Sequence, residues 1–295
     1  MPDAPDWQLT VSINAAPVGT VPGPDSPDFQ FTVQVVPSAQ SDAPDWQVVA
    51  VGPGGMPLPP PAPPCPLPFS WWRLNETSGT TAADSMGNND GTYNGGPTLG
   101  QPGIIPGSSD KCALFVPNEF MVANAYDGAY PGPYAMGIAF KSAVGAGTTQ
   151  GIAGLGNQTT PYQTELALLA IPAGNLQGGI DQIGPQWVSK DSAGSVMDGN
   201  AHLAVVSWDP ASHSFEVWLD NVVLTPSLGV STLYSVNNLN PVCGFATPGY
   251  AGGEVGDYYR WNGWLQSFTV WHQALSAGNL TALWNAFSTG PWPPW

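Results

Sequence analysis

Hydrophobic and polar residues alternate with a period of two in several stretches of this chain, most cleanly near its beginning. In the first repeat of the pattern, Trp7, Leu9, Val11 and Ile13 share one face, while Gln8, Thr10 and Ser12 share the other. Phe29, Phe31, Val33 and Val35 oppose Gln30, Thr32 and Gln34 in the same way, and Trp46 and Val48 begin a looser third copy. Successive side chains of a strand point to opposite faces, so this alternation predicts strands. Further strands are predicted at Phe69 to Leu74, Gly91 to Tyr93, Ala113 to Val116, Pro133 to Lys141, Gly151 to Leu155 and Glu165 to Ile171. Gln177 to Val188 is mixed. Ala201 to Trp208 and Ser214 to Leu219 form a pair around the turn Asp209-Pro210-Ala211-Ser212-His213, and Asp220-Asn221 turns the chain into Val222 to Leu224. Tyr258 to His272 reads as one long closing strand. Beyond it Leu280, Leu283, Trp284 and Phe287 recur at helical spacing behind Ser276, a good N-cap, and Gly290-Pro291 stops the helix.

The three N-terminal strands belong to an internal repeat. Pro2 to Ile13, Pro24 to Val35 and Ser41 to Gly52 share Asp-Ala/Ser-Pro-Asp-Trp/Phe-Gln followed by alternating residues. Three strands of about seven residues are near the minimum for independent stability. The expectation is that residues 1–52 gain order by strand addition to other copies of the chain or to neighbouring proteins, with Trp7, Leu9, Val11, Phe29, Phe31, Val33, Trp46 and Val48 as docking positions. A small self-contained meander is the alternative. Residues 53–68 are crowded with proline and read as a semi-rigid polyproline spacer. Residues 69–290 then form the main domain, and 291–295 a Trp/Pro tail that packs either on the domain or on a neighbour.

Composition narrows the function classes. Gly (36) and Pro (33) together favour short strands and turns over helical architecture. Only five Lys and Arg stand against 21 Asp and Glu, a formal net charge of −16, so the chain cannot neutralise a phosphate backbone or an anionic bilayer surface. Nucleic acid and membrane are therefore not expected partners. No apolar run is long enough to span a bilayer, and the N-terminus has neither the basic segment nor the apolar run of a secretory signal. The thirteen Trp serve either as sandwich core or as exposed platforms for sugar rings. Cys65, Cys112 and Cys243 fit small core residues, and a bridge between Cys112 and Cys243 across the sandwich is the alternative.

Two stretches resemble a known family. Trp72-x-Leu74-x-Glu76-x-Ser78-Gly79, Ala82-Ala83-Asp84-Ser85, Gly87-Asn88, Gly91-Thr92-Tyr93 and Gly100-Gln101-Pro102-Gly103 are similar to the opening of laminin-G-like, concanavalin A-type domains. Trp261-Asn262-Gly263-Trp264-Leu265-Gln266-Ser267-Phe268-Thr269-Val270-Trp271, followed by Leu280, Leu283 and Trp284, is similar to the closing strand and helix of that family. The resemblance implies an all-β fold: a two-sheet antiparallel jelly-roll sandwich with a short C-terminal helix, whose first and last strands pair. The N-terminal repeat and proline linker would precede it as an extended arm. The family's usual work is binding glycans or proteins. The Asp-Ala-Pro-Asp-Trp-Gln repeats, one running into Val51-Gly52-Pro53-Gly54-Gly55, resemble those of minor tail proteins of phages that infect mycobacteria and related actinobacteria. That implies a virion protein made in the host cytoplasm without a signal peptide. Its expected partners are further copies of itself, neighbouring tail proteins and host-envelope glycan. A capsid decoration protein and a non-virion carbohydrate-binding module are the alternatives.

Signs of catalysis are missing from the sequence. Glucanases on this sandwich need carboxylates spaced by two on one strand, and no such run of carboxylates exists; Glu254 and Asp257 have the wrong spacing. The chain has no nucleophile elbow and no phosphate loop. A non-enzyme is expected, with no cofactor required. Calcium is the family's usual metal, and Asp84, Asn88, Asn89 and Asp90 form the densest cluster of hard oxygen atoms. Turn capping competes with that reading. Gln266 stands where the family often has an acidic residue. For glycan contact, Tyr126, Asp127, Tyr130, Tyr250, Tyr258 and Tyr259 combine aromatic rings with acidic or Gly-rich loops.

Overall fold

The computed structural model describes residues 32–37, 46–51, 65–126, 132–143, 145, 147–157, 163–182, 186–224, 228–230, 239–246 and 259–295. The chain divides into two compact units, Met1–Pro63 and Pro64–Trp295. In the first, β1 (Thr32–Pro37) pairs antiparallel with β2 (Trp46–Val51), and the register sets Val35 opposite Val48 and Pro37 opposite Trp46. The second and third copies of the repeat therefore meet as neighbouring strands. Trp7, Leu9, Val11, Phe29 and Phe31 lie outside the described residues.

The second unit is the jelly-roll. Its strands begin with β3 (Ser70–Trp72), β4 (Thr81–Ala82), β5 (Gly91–Asn94), β6 (Thr98–Gln101), β7 (Cys112–Phe115), β8 (Phe120–Ala123) and β9 (Tyr134–Ser142). They continue with β10 (Gln150–Asn157), β11 (Gln163–Ala170), β12 (Asn175–Gln182), β13 (Gln186–Ser195), β14 (Ala201–Asp209) and β15 (Ser214–Leu219). The last are β16 (Val222–Val223), β17 (Leu228–Gly229), β18 (Leu239–Cys243), β19 (Phe245–Ala246), β20 (Tyr259–Arg260) and β21 (Gly263–Trp271), before helix α1 (Ala277–Thr289). One sheet runs β13-β12-β11-β10-β18-β8-β5-β4. The other runs β16-β15-β14-β9-β21-β7-β6, with β17 on β15 and β3 on β21. The expected pairing of first and last strands is present: Trp72 faces Phe268 and Ser70 faces Val270, both antiparallel.

Alternation explains the layering. Tyr134, Met136, Ile138 and Phe140 of β9 enter the core between the sheets, together with Ala204, Val206 and Trp208 of β14. Ala135 and Ala139 point the other way, as do Leu203 and Val205, and form a second core beneath the helix. Leu280, Leu283 and Phe287 close that outer core. A central strand buried on both faces is what a sheet covered on each side requires. Ser276 caps α1 with a capping box to Asn279. The Trp/Pro tail also settles on this side: Trp292 Nε1 donates to Ser267 Oγ at 3.0 Å, and the rings of Trp295 and Trp71 meet edge-on at 5.2 Å.

Trp72, Trp208, Trp261 and Trp271 are fully buried, so the core claims much of the tryptophan. All three cysteines are buried and free, which corrects the Cys112–Cys243 alternative. Burial pushes the Cys65 and Cys112 thiols up to about 12, and Cys112 Sγ donates to the Pro102 carbonyl. The expected single closing strand is also corrected. It breaks at Trp261-Asn262, because the Trp261 amide turns to the Gly244 carbonyl and its indole is wholly buried in the sandwich. Gln177 to Val188, mixed in the sequence, resolves into β12 and β13.

Candidate functional site

The β14–β15 hairpin forms one wall of a concavity on the jelly-roll. Its turn is closed by Asp209, whose Oδ1 accepts the Ala211 N–H at 2.9 Å and whose Oδ2 accepts the Ser212 hydroxyl at 2.7 Å. Asn, Asp and Ser favour turns for this reason: their side chains satisfy nearby backbone or hydroxyl groups. Along β15, Phe215 and Val217 enter the inter-sheet core, so Ser214, Glu216 and Trp218 occupy the opposite face. The ladder sets Asp209 beside Ser214, Ser207 beside Glu216 and Val205 beside Trp218. The far wall is the turn Ala274 to Ala277 entering α1, pinned to the sheet where the Leu275 N–H donates to Ser207 Oγ at 2.9 Å.

Between these walls lies a groove of about 550 Å³, lined by Asp209, Ser214, Glu216, Trp218, Leu275 and Ser276 among others. Trp218 is half-buried; its Nε1 donates to Glu216 Oε2 at 3.1 Å, which fixes the ring relative to the carboxylate. The Ser212 hydroxyl and the Ala211 amide hold the Asp209 carboxyl below the usual carboxylate range, so it is ionised at neutral pH and acts as an acceptor. The groove thus offers one aromatic surface, two carboxylates and serine hydroxyls. An apolar body with a few fixed polar groups suits a small polyhydroxylated ligand, whose C–H face packs on the ring while its hydroxyls donate to the acceptors.

The structure distributes the sequence candidates differently. Asp84 is buried, and its two oxygens accept four backbone N–H groups: Trp71 at 2.8 Å and Met86 at 2.9 Å on Oδ1, Asn89 at 3.0 Å and Asn88 at 3.3 Å on Oδ2. Asp90 Oδ1 takes the Asp84 N–H, while the Asn88 and Asn89 side chains donate to the carbonyls of Phe69 and Asn124. The four residues tie one turn together rather than facing a common centre. Among the described residues no cluster of three or more His, Cys, Asp or Glu side chains could hold a metal ion. Gln266 Oε1 accepts the Ile104 and Ile105 N–H groups at 2.7 and 3.1 Å, anchoring the loop before β7.

Tyr126 is buried against Phe69 and His272, edge-on to both rings, so it is a core residue and not a sugar platform. Asp127, Tyr130, Tyr250 and Tyr258 lie outside the described residues, as do Glu254 and Asp257; the Tyr259 backbone pairs with Ala246. Sequence reasoning placed Asp209 and Trp218 on this hairpin without joining them. The signal is Ser214-x-Glu216-x-Trp218, three non-core residues on one strand face, whereas the sequence candidates for glycan contact are drawn from acidic or Gly-rich loops. A second polar cluster was also missed. The ring of His202 is flanked by Asp220 Oδ2 at 2.6 Å and Asp198 Oδ1 at 3.0 Å.

No family model matches the sequence, and no curated protein matches it. Solved structures do resemble the fold. The botulinum neurotoxin serotype D binding domain superposes with a TM-score of 0.54 at 11% identity over 74% of this chain and 50% of that one. The botulinum neurotoxin DC binding domain in complex with SialylT gives 0.54 at 9% identity over 75% and 51%. A Trypanosoma rangeli sialidase mutant displaying trans-sialidase activity gives 0.51 at 9% identity over 74% and 32%. The chain spans about half the length of the neurotoxin domains it matches. At such identity the likeness establishes the architecture: a two-sheet antiparallel jelly-roll.

Proposed function

We propose that the jelly-roll is a glycan-binding module and that the whole chain is a structural protein of a phage tail, docked through its N-terminal strands. The observation that carries the binding half is the groove in which Trp218 stands beside Glu216 and across from the turn held by Asp209. Its shape and donor set suit recognition, and the binding domains among its structural neighbours support the same reading; one of them was solved with SialylT. The binding reading needs no reaction at the groove: Trp218 Nε1 donates to Glu216, and the Ser212 hydroxyl and Ala211 amide donate to Asp209, so both carboxylates stand as fixed acceptors.

The tail half is supported by the threefold repeat, the proline spacer and the jelly-roll in that order, and by the pairing of the second and third repeat copies as a two-stranded ribbon. A two-stranded ribbon is marginal alone, and strand addition at an edge is one way such a ribbon gains stability. A glycan array probed with the full chain tests the first half, with loss of every positive spot in Trp218→Ala as the expected result. Mass spectrometry of purified virions tests the second, and absence of the chain there sinks it. Immunogold label on heads instead of tails would turn the assignment to capsid decoration. A chain absent from virions that still binds glycan would be a free carbohydrate-binding module.

A further inference from the structure

Resting on the glycan-binding reading, we infer that the Trp218 groove selects glycans free of acidic groups and turns away those bearing carboxylate, sulfate or phosphate. The groove presents two carboxylates, Asp209 and Glu216, and its lining contains no Lys, Arg or His. The cations of the chain are few and elsewhere. Arg73 pairs with Asp110 and lies over the Trp71 ring. Lys141 lies over the Trp264 ring, 5.5 Å from its centroid. Lys111, Lys190 and Arg260 complete the five, and none lines the groove. His213, at the hairpin turn, lies close enough to act on Asp209 but outside the groove lining.

The carboxylates are also arranged as acceptors. Glu216 Oε2 receives the Trp218 indole N–H, and Asp209 receives the Ser212 hydroxyl and the Ala211 amide, so each is held in place with acceptor capacity left over. A hydroxyl or amine of a sugar supplies the donor such an oxygen wants, and the hydrogen bond is charge-assisted. An anionic substituent supplies only more acceptors. It would stand among like charges with no cation in the groove lining, on a protein of net charge −16. Near-contact charges at a wet surface change binding by roughly tenfold for each such repulsion.

The test uses the full chain and pairs of oligosaccharides that differ only by a terminal sialic acid, sulfate or phosphate, titrated by calorimetry at low and moderate salt. The expected result is binding of the neutral members, at least about tenfold weaker binding of their acidic partners, and a gap that narrows as salt screens it. Asp209→Asn with Glu216→Gln should shrink the gap, and Trp218→Ala should abolish binding of the neutral members with its thermal midpoint checked alongside. Acidic members that bind as tightly as neutral ones, with both lost in Trp218→Ala, would overturn the selectivity while leaving the glycan-binding module intact. Glycan binding untouched by Trp218→Ala would overturn the selectivity by removing it from this groove. No binding by any member would overturn both readings.

Discussion

Asp84 accepts four backbone N–H groups, and replacing it with alanine distinguishes a turn cap from a metal ligand. Its loss strips acceptors from four backbone N–H groups at once: Trp71, Met86, Asn88 and Asn89. An unsatisfied buried donor costs about 1–3 kcal/mol. The Trp71 amide is buried and cannot be rehydrated, whereas the other three are only part-buried and recover water. The expected loss is therefore roughly 3 kcal/mol, well short of four full penalties. For a domain of this size that is roughly 6–12 °C in Tm. Asp84→Asn keeps one acceptor oxygen and should lose about half as much. The assay is urea unfolding of the full chain, followed by tryptophan fluorescence, with and without millimolar calcium. A midpoint within about 0.5 kcal/mol of the native chain in Asp84→Ala would refute the capping account, 0.5 kcal/mol being the usual range of an indifferent surface change. So would a native midpoint that climbs in calcium while that of Asp84→Ala stays still.

Other outcomes follow from single features. His202 is raised in pKa because its hydrogen bonds to Asp220 and Asp198 outweigh the opposing effect of burial beside Phe140. Its contribution to stability should be full below about pH 6.5 and fade as pH rises through the folded-state value, and His202→Gln should flatten that alkaline limb. His272, held by burial down to about 4 among Phe69, Tyr126 and Tyr134, has the opposite sign. Its contribution is full above about pH 6.5 and declines as pH falls toward about 4, a slope that His272→Phe should remove in acid-unfolding curves. Gly95 has φ of +80° and its missing Cβ would strike the Asn118 carbonyl, so Gly95→Ala should cost at least about 2 kcal/mol by chemical denaturation. Trp72→Ala removes a fully buried ring stacked on Phe268 and should cost roughly 3–5 kcal/mol; a loss below about 1 kcal/mol would deny the first-to-last strand pairing its weight.

Most of the frame was legible because alternation is a direct imprint of sheet geometry. Ser214 to Leu219, Gly91 to Tyr93 and the helix behind Ser276 stand within a residue of their expected places. The misses have physical causes. Leu239–Cys243 contains Asn240-Pro241, which argues against an interior strand; it is tolerated because pairing with β8 begins only at Val242, so Pro241 has a ladder on one side alone. Thr98–Gln101 lies between Gly95-Gly96-Pro97 and Pro102-Gly103 and reads as turn, and Phe120–Ala123 is apolar throughout, so neither shows a period of two. The groove was hidden for a different reason. Ser207, Asp209, Glu216 and Trp218 become neighbours of Leu275 and Ser276 only when the chain folds its last helix over the sheet, and the bond from Leu275 to Ser207 spans 68 residues, which no local pattern carries.

The ladder between β3 and β21 has a mechanical consequence. Three residue pairs and the Phe69 N–H to Val270 bond join the domain's first strand to its last, and the Trp271 indole grips the Pro66 carbonyl just outside it. A body suspended by its leading end carries tension straight into that short zipper, which lies beside the Trp292 and Trp295 rings. Force applied at the leading end would meet those three residue pairs and the indole–carbonyl bond before it reached the strands that carry the groove.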